Sequence, residues 1–372
     1  MQTGDGLLAR LRISGGRLSP SVLARLAQVA GDFGNGVVEI TARGNLQVRG
    51  LTAAGALPFA RAVEALVSIE RGLVVETPPL AGDADELADP RPLAAVISKL
   101  ALPFDPQLGP KVSVVVDGNG QHNLSSLKSD LRLVAVSPQH WALTVGGHFF
   151  GVTEEPAAAA LAVVKLLAAQ GAEARATDLP HMALLASIGH LCVDAPEPEQ
   201  EDIAPIGTIK LHAQTAIGLG LPYGAIAWDR LMLLAIMAPR HGVSEFQLSP
   251  YHALLAIGAR ASLLNELDDD FIADPLDPRR RVSACIGSDG CASGHVPARV
   301  VADRLAPLLH RADTLHVSGC AKGCALPRRA AITLVGRQDG YGLVLDGKAS
   351  EAPLTVLRAD QLPSVVGPAW QG

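Results

Sequence analysis

The chain repeats part of its own sequence, and this repeat constrains the fold more than any other feature. Residues 16–50 and 224–258 align without a gap at a constant offset of 208. The identical pairs include Gly16 with Gly224, Leu23 with Leu231, Leu26 with Leu234, Ala27 with Ala235, Ala30 with Ala238, Gly34 with Gly242, Leu46 with Leu254 and Gly50 with Gly258. In each copy an apolar pattern of helical spacing precedes a short β-like run. Two similar units related by a pseudo-twofold axis are therefore predicted.

Later segments of the two halves also align, at smaller offsets. The aligned segments are Lys111–Gln121 with Arg281–Cys291 and Trp141–His148 with Tyr341–Lys348. In this alignment Val115 takes the place of Cys285, and Gln121 takes that of Cys291. The alignment predicts an internally duplicated α+β protein. Each half would contain a small strand–helix–strand unit and a larger unit whose strands alternate with helices such as Pro156–Gln170.

Composition excludes several classes of protein. Apolar residues make up 48% of the 372 residues and charged residues 18%, which suits a compact core rather than a disordered chain. The formal charge of −6 argues against general nucleic-acid binding, which needs a basic face. No apolar run reaches the roughly 18 residues of a membrane span. The first residues, MQTGDGLLAR, contain no apolar stretch typical of a signal peptide, so we expect a cytoplasmic protein.

Four of the five cysteines form two close pairs in glycine-rich loops. Five residues separate Cys285 from Cys291, and three separate Cys320 from Cys324. Four thiolates could hold an iron–sulfur cluster, whose cage tolerates unequal spacing. They could also hold zinc, although zinc sites usually place about two to four residues between ligands, or they could be unrelated buried thiols. Cys192 follows an apolar segment and is interpreted as a core residue.

These motifs resemble those of the sirohaem-dependent sulfite and nitrite reductase superfamily, along nearly the whole chain. Members of that superfamily bind a 4Fe–4S cluster through Cys-x5-Cys and Cys-x3-Cys in their second half. The segments GDGLLARLR, Glu39–Leu51 and Leu315–Pro327 resemble one branch in particular, the precorrin-3B synthases. The cluster ligands that the resemblance implies are Cys285, Cys291, Cys320 and Cys324.

The resemblance also implies four units joined by segments rich in proline and acidic residues. The units are a first ferredoxin-like unit at 1–75, a first reductase-type half-domain without a cluster at 76–200, a second ferredoxin-like unit at 201–275 and a cluster-binding half-domain at 276–372. Candidate linkers are Glu76–Pro92, Asp194–Pro205 and Asp268–Arg280.

For the synthase branch the resemblance implies a tetrapyrrole substrate, precorrin-3A, in the groove where relatives hold sirohaem. Its carboxylates need cationic partners, and guanidinium groups match carboxylates in pairs. If residues 43–49 form a strand, their polar side chains share one face, although such a face could also be simple solvent exposure. The expected substrate contacts are Arg43, Asn45, Gln47 and Arg49, with Lys111, Lys322 and Arg12 as weaker candidates.

The reaction implied by the resemblance is a monooxygenation. Dioxygen would place a hydroxyl group at C20 of the macrocycle, and a ring-A acetate would close to a γ-lactone. The cluster would pass single electrons, which come ultimately from NADH or NADPH through an external donor. A mononuclear non-haem iron is also implied, but no set of two histidines and a carboxylate stands out by spacing. Candidate ligands are His122, His140, His148, His181 and His190, and no catalytic residue is assigned.

Two other functions fit parts of the sequence. A sirohaem-dependent sulfite or nitrite reductase would grip its small anion with a Lys-x-Lys pair, of which Lys111 is present and Ser113 replaces the second lysine. A dianion needs converging cations to offset its desolvation, so this loss disfavours the reductase. A zinc-stabilised scaffold without enzymatic activity is the other alternative.

Overall fold

The computed structural model describes residues 2–201 and 203–367 as twenty strands and eight α-helices, besides short 3-10 helices. The strands are β1 Gln2–Thr3, β2 Gly6–Leu11, β3 Arg17–Leu18, β4 Val37–Ile40, β5 Leu46–Leu51, β6 Val74–Glu76, β7 Ser113–Asp117, β8 Leu131–Ala135, β9 Trp141–Val145, β10 His148–Thr153, β11 Gly207–Lys210, β12 Thr215–Gly220, β13 Ala225–Ala227, β14 Glu245–Ser249, β15 Ala253–Ile257, β16 Val282–Ala284, β17 Leu315–Ser318, β18 Ala330–Arg337, β19 Gly340–Gly347 and β20 Thr355–Leu357. The helices are α1 Pro20–Phe33, α2 Ala53–Glu64, α3 Pro90–Ala101, α4 Pro156–Gln170, α5 His181–Ile188, α6 Trp228–Met237, α7 Ala298–Leu305 and α8 Leu362–Val366. Every helix in these residues is too short or too polar to span a bilayer.

Two antiparallel five-stranded sheets have the same strand order. The first sheet runs β1-β2-β5-β4-β13, and the third runs β11-β12-β15-β14-β3. Their last strands are exchanged, since β13 of the second half pairs with β4, and β3 of the first half pairs with β14. Arg17 opens β3 and Ala225 opens β13, at the same offset as the sequence repeat. The two sheets thus show the predicted duplication twice: in their common strand order and in the matching positions of the strands that they exchange.

Helices α1 and α6 occupy corresponding places in the two repeats and share one core. Helix α1 begins after Ser19, whose side chain accepts a hydrogen bond from the Val22 N–H, and Pro20 fits its first turn. Gly31 of α1 lies against Trp228 of α6, where a Cβ atom would come within 2.4 Å of the indole Cδ2. Buried residues of both helices and both sheets belong to one hydrophobic cluster. The helices expected from the apolar spacing are confirmed.

The second and fourth sheets are mixed, and they also correspond. The second sheet runs β10-β9-β8-β7-β6, and the fourth runs β16-β17-β18-β19-β20. In each sheet three parallel strands are followed by two antiparallel ones. Helices α3 and α7 supply the crossovers that the first parallel pairs require. Helix α4 spans Pro156–Gln170, as predicted, and the α+β class is confirmed.

One segment of the sequence alignment is wrong. It placed Lys111–Gln121 opposite Arg281–Cys291, but the sheet order makes β7 the counterpart of β17 and not of β16. Both segments contain a short apolar strand followed by a glycine-rich loop, a pattern that any buried parallel strand can show. The alignment of Trp141–His148 with Tyr341–Lys348 is confirmed, since β9 and β19 hold equivalent positions. The loop after β7 is therefore the counterpart of the Cys320–Cys324 loop.

Carboxylates organise the loops of the first half that correspond to the cysteine loops. Asp117 is fully buried and accepts hydrogen bonds from the backbone N–H groups of Asn119 and Leu124, at 2.8 and 2.7 Å. Glu86 lies against the same loop, because a Cβ on Gly118 would come within 2.8 Å of its Cδ. Burial raises the pKa of Glu86 to about 7, despite a hydrogen bond from the Gly82 N–H at 2.6 Å.

The raised pKa of Glu86 predicts a pH-dependent stability. Folded Glu86 holds its proton up to about pH 7, whereas its ordinary pKa is 4.5, so its ionisation destabilises the fold as the pH rises between these values. Glu86→Gln keeps an acceptor for Gly82 and cannot ionise. We expect this variant to be more stable than wild type above pH 7, by about 1 kcal/mol after solvent screening, and equally stable below pH 4.5.

Denaturant titrations at about pH 5 and about pH 8 measure this difference. Glu173→Gln, at an exposed position, is the matched control and should show no pH-dependent change. A stability gap for Glu86→Gln that does not grow with pH would contradict the assignment.

Candidate cofactor and substrate site

The two cysteine loops follow adjacent parallel strands of the fourth sheet. Cys285 comes directly after β16, and Cys320 comes two residues after the end of β17. These strands pair in parallel, so both loops leave the same edge of the sheet. The carboxyl edge of parallel strands is the usual place for ligands in such sheets. The fold thus brings together two loops that are about thirty residues apart in sequence.

Direct hydrogen bonds join the two loops. The Gly319 N–H donates to Cys285 Sγ at 3.1 Å, and the His295 N–H donates to the Gly319 carbonyl at 2.8 Å. Lys322 Nζ donates to Ser293 Oγ at 3.0 Å. Gly319 has no room for a side chain, since a Cβ would lie 2.8 Å from the Cα of Gly287. The glycines in these motifs therefore allow the close approach of the two loops.

The four thiols share one electrostatic environment. Burial raises the pKa of the Cys324 thiol, and the other three thiols raise it further, while Lys322 lowers it. Among residues 2–201 and 203–367, no three His, Cys, Asp or Glu side chains are close enough to hold a single metal ion. Four cysteine thiols on two loops at the same edge of the sheet are the ligand type that an iron–sulfur cluster uses. The donor set fits an iron–sulfur cluster.

The N-terminal segment covers the Cys291 side of this site. A Cβ on Gly4 would lie 2.8 Å from the Ala292 nitrogen and 3.2 Å from Cys291 Sγ. The next residue, Asp5, accepts two hydrogen bonds from the Arg49 guanidinium, each 2.9 Å long. Burial lowers the pKa of Arg49, but Asp5, Glu39 and, least of the three, the Cys291 thiol raise it above the ordinary value. Arg49 therefore lies within electrostatic reach of the cysteine loops.

A polar network covers the face of the first sheet that points away from α1. Gln47 is buried and accepts from Arg10 at 3.1 and 3.2 Å, and its amide donates to Glu39. Glu39 also accepts from Arg299 of α7 at 2.6 Å and lies 3.8 Å from Arg49. Helix α7 connects β16 to β17, which are neighbouring strands of the fourth sheet. The network therefore docks the cysteine-bearing half of the chain onto the first repeat.

Arg43, Asn45, Gln47 and Arg49 were expected on one strand face, but only two of them lie on the strand. Strand β5 begins at Leu46, so Gln47 and Arg49 share a face, whereas Arg43 and Asn45 lie in the preceding turn. The turn forms because Gly44 has φ +72°, and a Cβ there would lie 2.9 Å from the Ser249 carbonyl carbon. The expectation of one continuous face is wrong for Arg43 and Asn45.

Arg43 instead points toward the second sheet. Its guanidinium donates to the Glu76 carboxylate of β6 and to the Lys128 carbonyl. Burial raises the pKa of Glu76, although Arg43, Arg12 and Arg132 oppose the rise. Three arginines thus lie near one partly buried carboxylate on the edge strand of the second sheet.

The two lysines expected at the substrate lie in different places. Lys322 bridges the cysteine loops through Ser293, whereas Lys111 is exposed near the amino end of β7. The sequence interpretation missed Arg10, Asp5, Glu39 and Arg299. The alternation of Arg10 and Arg12 with buried Leu11 and Ile13 was the available signal for the arginine face of β2. The pairings with Asp5 and Arg299 depend on the tertiary fold and left no local signal.

The five candidate iron-binding histidines do not form one metal-ligand set among the described residues. His140 contacts Ser137 at 2.8 Å and Glu154 at 2.9 Å, while His148 and His181 have ring centroids 6.1 Å apart. His122 is buried elsewhere, and burial lowers its pKa. Within the described part of the chain, the donors do not fit a mononuclear iron. No chemical step is assigned to such an ion.

The fold and the first repeat define a class of protein. Residues 1–66 match the family described as the nitrite/sulfite reductase ferredoxin-like half domain. The structure of the Mycobacterium tuberculosis NirA protein is similar with a TM-score of 0.72 and 21% identity, covering 96% of this chain and 79% of that one. The chain therefore has the fold of the nitrite and sulfite reductases.

Sequence similarity then distinguishes between families that share this fold. A precorrin-3B synthase from Sinorhizobium sp. is 39% identical over 95% of this chain and 82% of the relative. A sulfite reductase from Mycolicibacterium paratuberculosis is 25% identical over 91% of this chain and 72% of its own length. A ferredoxin–nitrite reductase from Synechococcus elongatus is 25% identical over 98% and 85%. The chain belongs to the precorrin-3B synthase family.

The packing of Gly4 predicts that a methyl group there disturbs the Cys291 loop. Gly4→Ala should destabilise the protein by about 1–3 kcal/mol, because backbone atoms of Ala292 must move. It should also lower the iron and sulfide bound per chain after reconstitution, since Cys291 moves with the loop. Thermal denaturation and metal analysis measure the two effects.

Gly189→Ala is the matched control for this substitution. Gly189 has helical φ and ψ of −59° and −33°, and the nearest atom to its Cβ would be 3.8 Å away. This control should keep both stability and iron content. Normal iron content in Gly4→Ala would show that the N-terminal segment does not position Cys291.

Proposed function

We propose that the protein is a precorrin-3B synthase, which hydroxylates precorrin-3A at C20 and closes a γ-lactone on the macrocycle. The observation that carries this proposal is the 39% identity to the Sinorhizobium synthase over 95% of the chain. The two reductases that match most of the chain are only 25% identical to it. The arginine-rich face beside the cysteine loops supports a polycarboxylate substrate.

In the proposed enzyme the four clustered cysteines hold a 4Fe–4S cluster. The support is that their loops leave neighbouring parallel strands and that the Gly319 N–H already points at Cys285 Sγ. When bound, the cluster supplies electrons one at a time, and an external donor that draws on NADH or NADPH replenishes them. The ligands are Cys285, Cys291, Cys320 and Cys324.

The arginines differ in how readily a substrate carboxylate can reach them. The side chain of Arg43 is 34% exposed, whereas that of Arg49 is 15% exposed and held by Asp5. Burial raises the pKa of Glu76, so this partner of Arg43 loses its charge more easily than an exposed carboxylate. We assign Arg43 to a substrate carboxylate. Arg49 and Gln47 hold the polar network of the first sheet beside the cysteine loops, and Lys322 bridges those loops through Ser293.

The proposed reaction consumes one O2, two electrons from the reductant and two protons for each precorrin-3A. One atom of O2 enters the product as the C20 hydroxyl group, and the other is released as water. The π bond between C20 and its neighbouring ring carbon breaks: C20 takes the hydroxyl group, the neighbouring carbon takes the carboxylate oxygen of the ring-A acetate, and the acetate proton stays in the product. The product is therefore one oxygen atom heavier than precorrin-3A, and the reductant is oxidised by two electrons.

The direct test is incubation of anaerobically purified protein with precorrin-3A, O2 and a reducing system. The expected product is one oxygen atom heavier, and 18O2 should supply that atom. The visible spectrum of the same preparation separates the sirohaem-dependent reductase, because sirohaem gives strong bands in the red. Bound sirohaem with sulfite or nitrite turnover, and no oxygenated product, would overturn the proposal.

Replacement of a cluster ligand should remove the activity. Cys320→Ser should lose the iron and acid-labile sulfide, and oxygenated product should fall below detection, because a neutral hydroxyl is a poor ligand for this cluster. Cys192→Ser is the matched control, since Cys192 packs against the core of the first half-domain and should keep the cluster and turnover. Retained turnover in Cys320→Ser would count against a required cluster.

Replacement of Arg43 should weaken substrate binding without loss of the cluster. Arg43→Gln removes a charge-assisted contact, which predicts a roughly 10- to 100-fold rise in KM. Iron content and the thermal midpoint should stay close to those of Arg311→Gln, a control at an exposed position. An unchanged KM would place the substrate carboxylates elsewhere.

A further inference from the structure

His316 lies on β17, four residues before Cys320, and its imidazole ring has no hydrogen-bond partner in the part of the chain that the structure describes. Its side chain is fully buried, and both ring nitrogens lack a partner in the described structure. The other buried histidines among the described residues differ. His241 contacts Ser262 Oγ at 3.0 Å, and His122 lacks a partner only at Nδ1. Two unpartnered nitrogens on one buried ring are therefore particular to this position.

The ring of His316 faces the loop between Cys320 and Cys324. A Cβ on Gly323, in the middle of that loop, would lie 3.7 Å from His316 Cε1. The Cε1 atom lies between the two ring nitrogens, so the end of the ring that carries them is the part that approaches Gly323. Gly323 has φ +61° and lacks a side chain that would separate the ring from the space enclosed by the loop.

A neutral imidazole carries one N–H donor and one acceptor. Burial lowers the pKa of His316 to about 4, so the ring is neutral near neutral pH. A buried donor without a partner costs free energy, and native proteins keep few of them. Apolar residues could fill this position, because Val335, Val344 and Ala349 form a small core on the same face of the sheet. Because an imidazole is present here instead, its N–H is expected to have a hydrogen-bond acceptor on the side of the Cys320–Cys324 loop.

The geometry points to His316 as a hydrogen-bond donor to the sulfur atoms held by the Cys320–Cys324 loop. This role rests on the proposed cluster. Cluster sulfurs are negatively charged acceptors, and an N–H aimed at them stabilises the reduced state more than the oxidised state. His316 is thus a positioning residue that raises the reduction potential and makes the cluster easier to reduce by its external donor.

The test compares His316→Leu with His316→Gln, which retains a side-chain N–H. Iron and sulfide are counted first, and the potential is then measured by a redox titration monitored by electron paramagnetic resonance. We expect both variants to bind the cluster, with a lower potential in His316→Leu and a smaller shift in His316→Gln. Thr333→Val, which alters the neighbouring residue of β18, should leave the potential unchanged.

A second readout uses wild-type protein labelled with 15N-histidine. Pulsed electron paramagnetic resonance of the reduced cluster should show a nitrogen coupling that disappears in His316→Leu. It should persist in His295→Gln, since His295 lies exposed in the neighbouring loop. The coupling is read in wild-type protein, so it remains informative if the leucine variant folds poorly.

Stability of the cluster-free protein separates this role from simple packing. Loss of an unpartnered buried ring should leave the cluster-free His316→Leu at least as stable as cluster-free wild type. An unchanged potential, or absence of the nitrogen coupling, would overturn the role of His316 while leaving the cluster in place. Wild-type protein that binds no iron or sulfide would overturn the cluster itself, and the role of His316 with it.

Discussion

The exchange of one strand between the two repeats joins them into one body, and the polar contacts to the cysteine-bearing half start from that body. Strand β13 completes the first sheet, and β3 completes the third, so backbone hydrogen bonds cross between the repeats in both directions. Helices α1 and α6 are then enclosed in one core. Because this body is continuous, the outer face of the first sheet is presented to the half of the chain that carries the cysteines. Glu39 and Arg299 join the two across that contact.

The duplication preserved the backbone and let the chemistry of the two copies diverge. Gln47 and Arg49 carry the polar network on the first sheet, while Leu255 and Ile257 hold the same positions on the third. The apolar copies pack beneath Leu80. The same asymmetry appears in the larger units, where carboxylates hold the loops that correspond to the cysteine loops. In the first pair one copy carries a polar network, and in the second pair one copy carries the clustered cysteines.

Much of the architecture could be predicted from the sequence, because helices and repeats leave periodic signals. The helices of the repeat and Pro156–Gln170 were identified by apolar spacing. The turn at Gly44 was missed because the apolar and polar alternation of residues 43–49 suits a continuous strand, whereas Gly44 has φ +72° and packs against the Ser249 backbone, two hundred residues away. The Asp5–Arg49 ion pair depends on the pairing of β2 with β5, and no local pattern encodes it. Short apolar strands before glycine-rich loops look alike, which explains the wrong counterpart for β7.

The exchanged strands also describe how such a chain can arise. A single repeat on its own would leave β4 with an open edge, since the strand that covers it comes from the other copy. Two separate copies related by a twofold axis would cover each other's edges by the same exchange, as in a domain-swapped homodimer. The present chain has the topology of such a dimer joined into one polypeptide. Fusion frees the two repeats from identity, so their side chains can diverge, as Gln47 and Arg49 have diverged from Leu255 and Ile257.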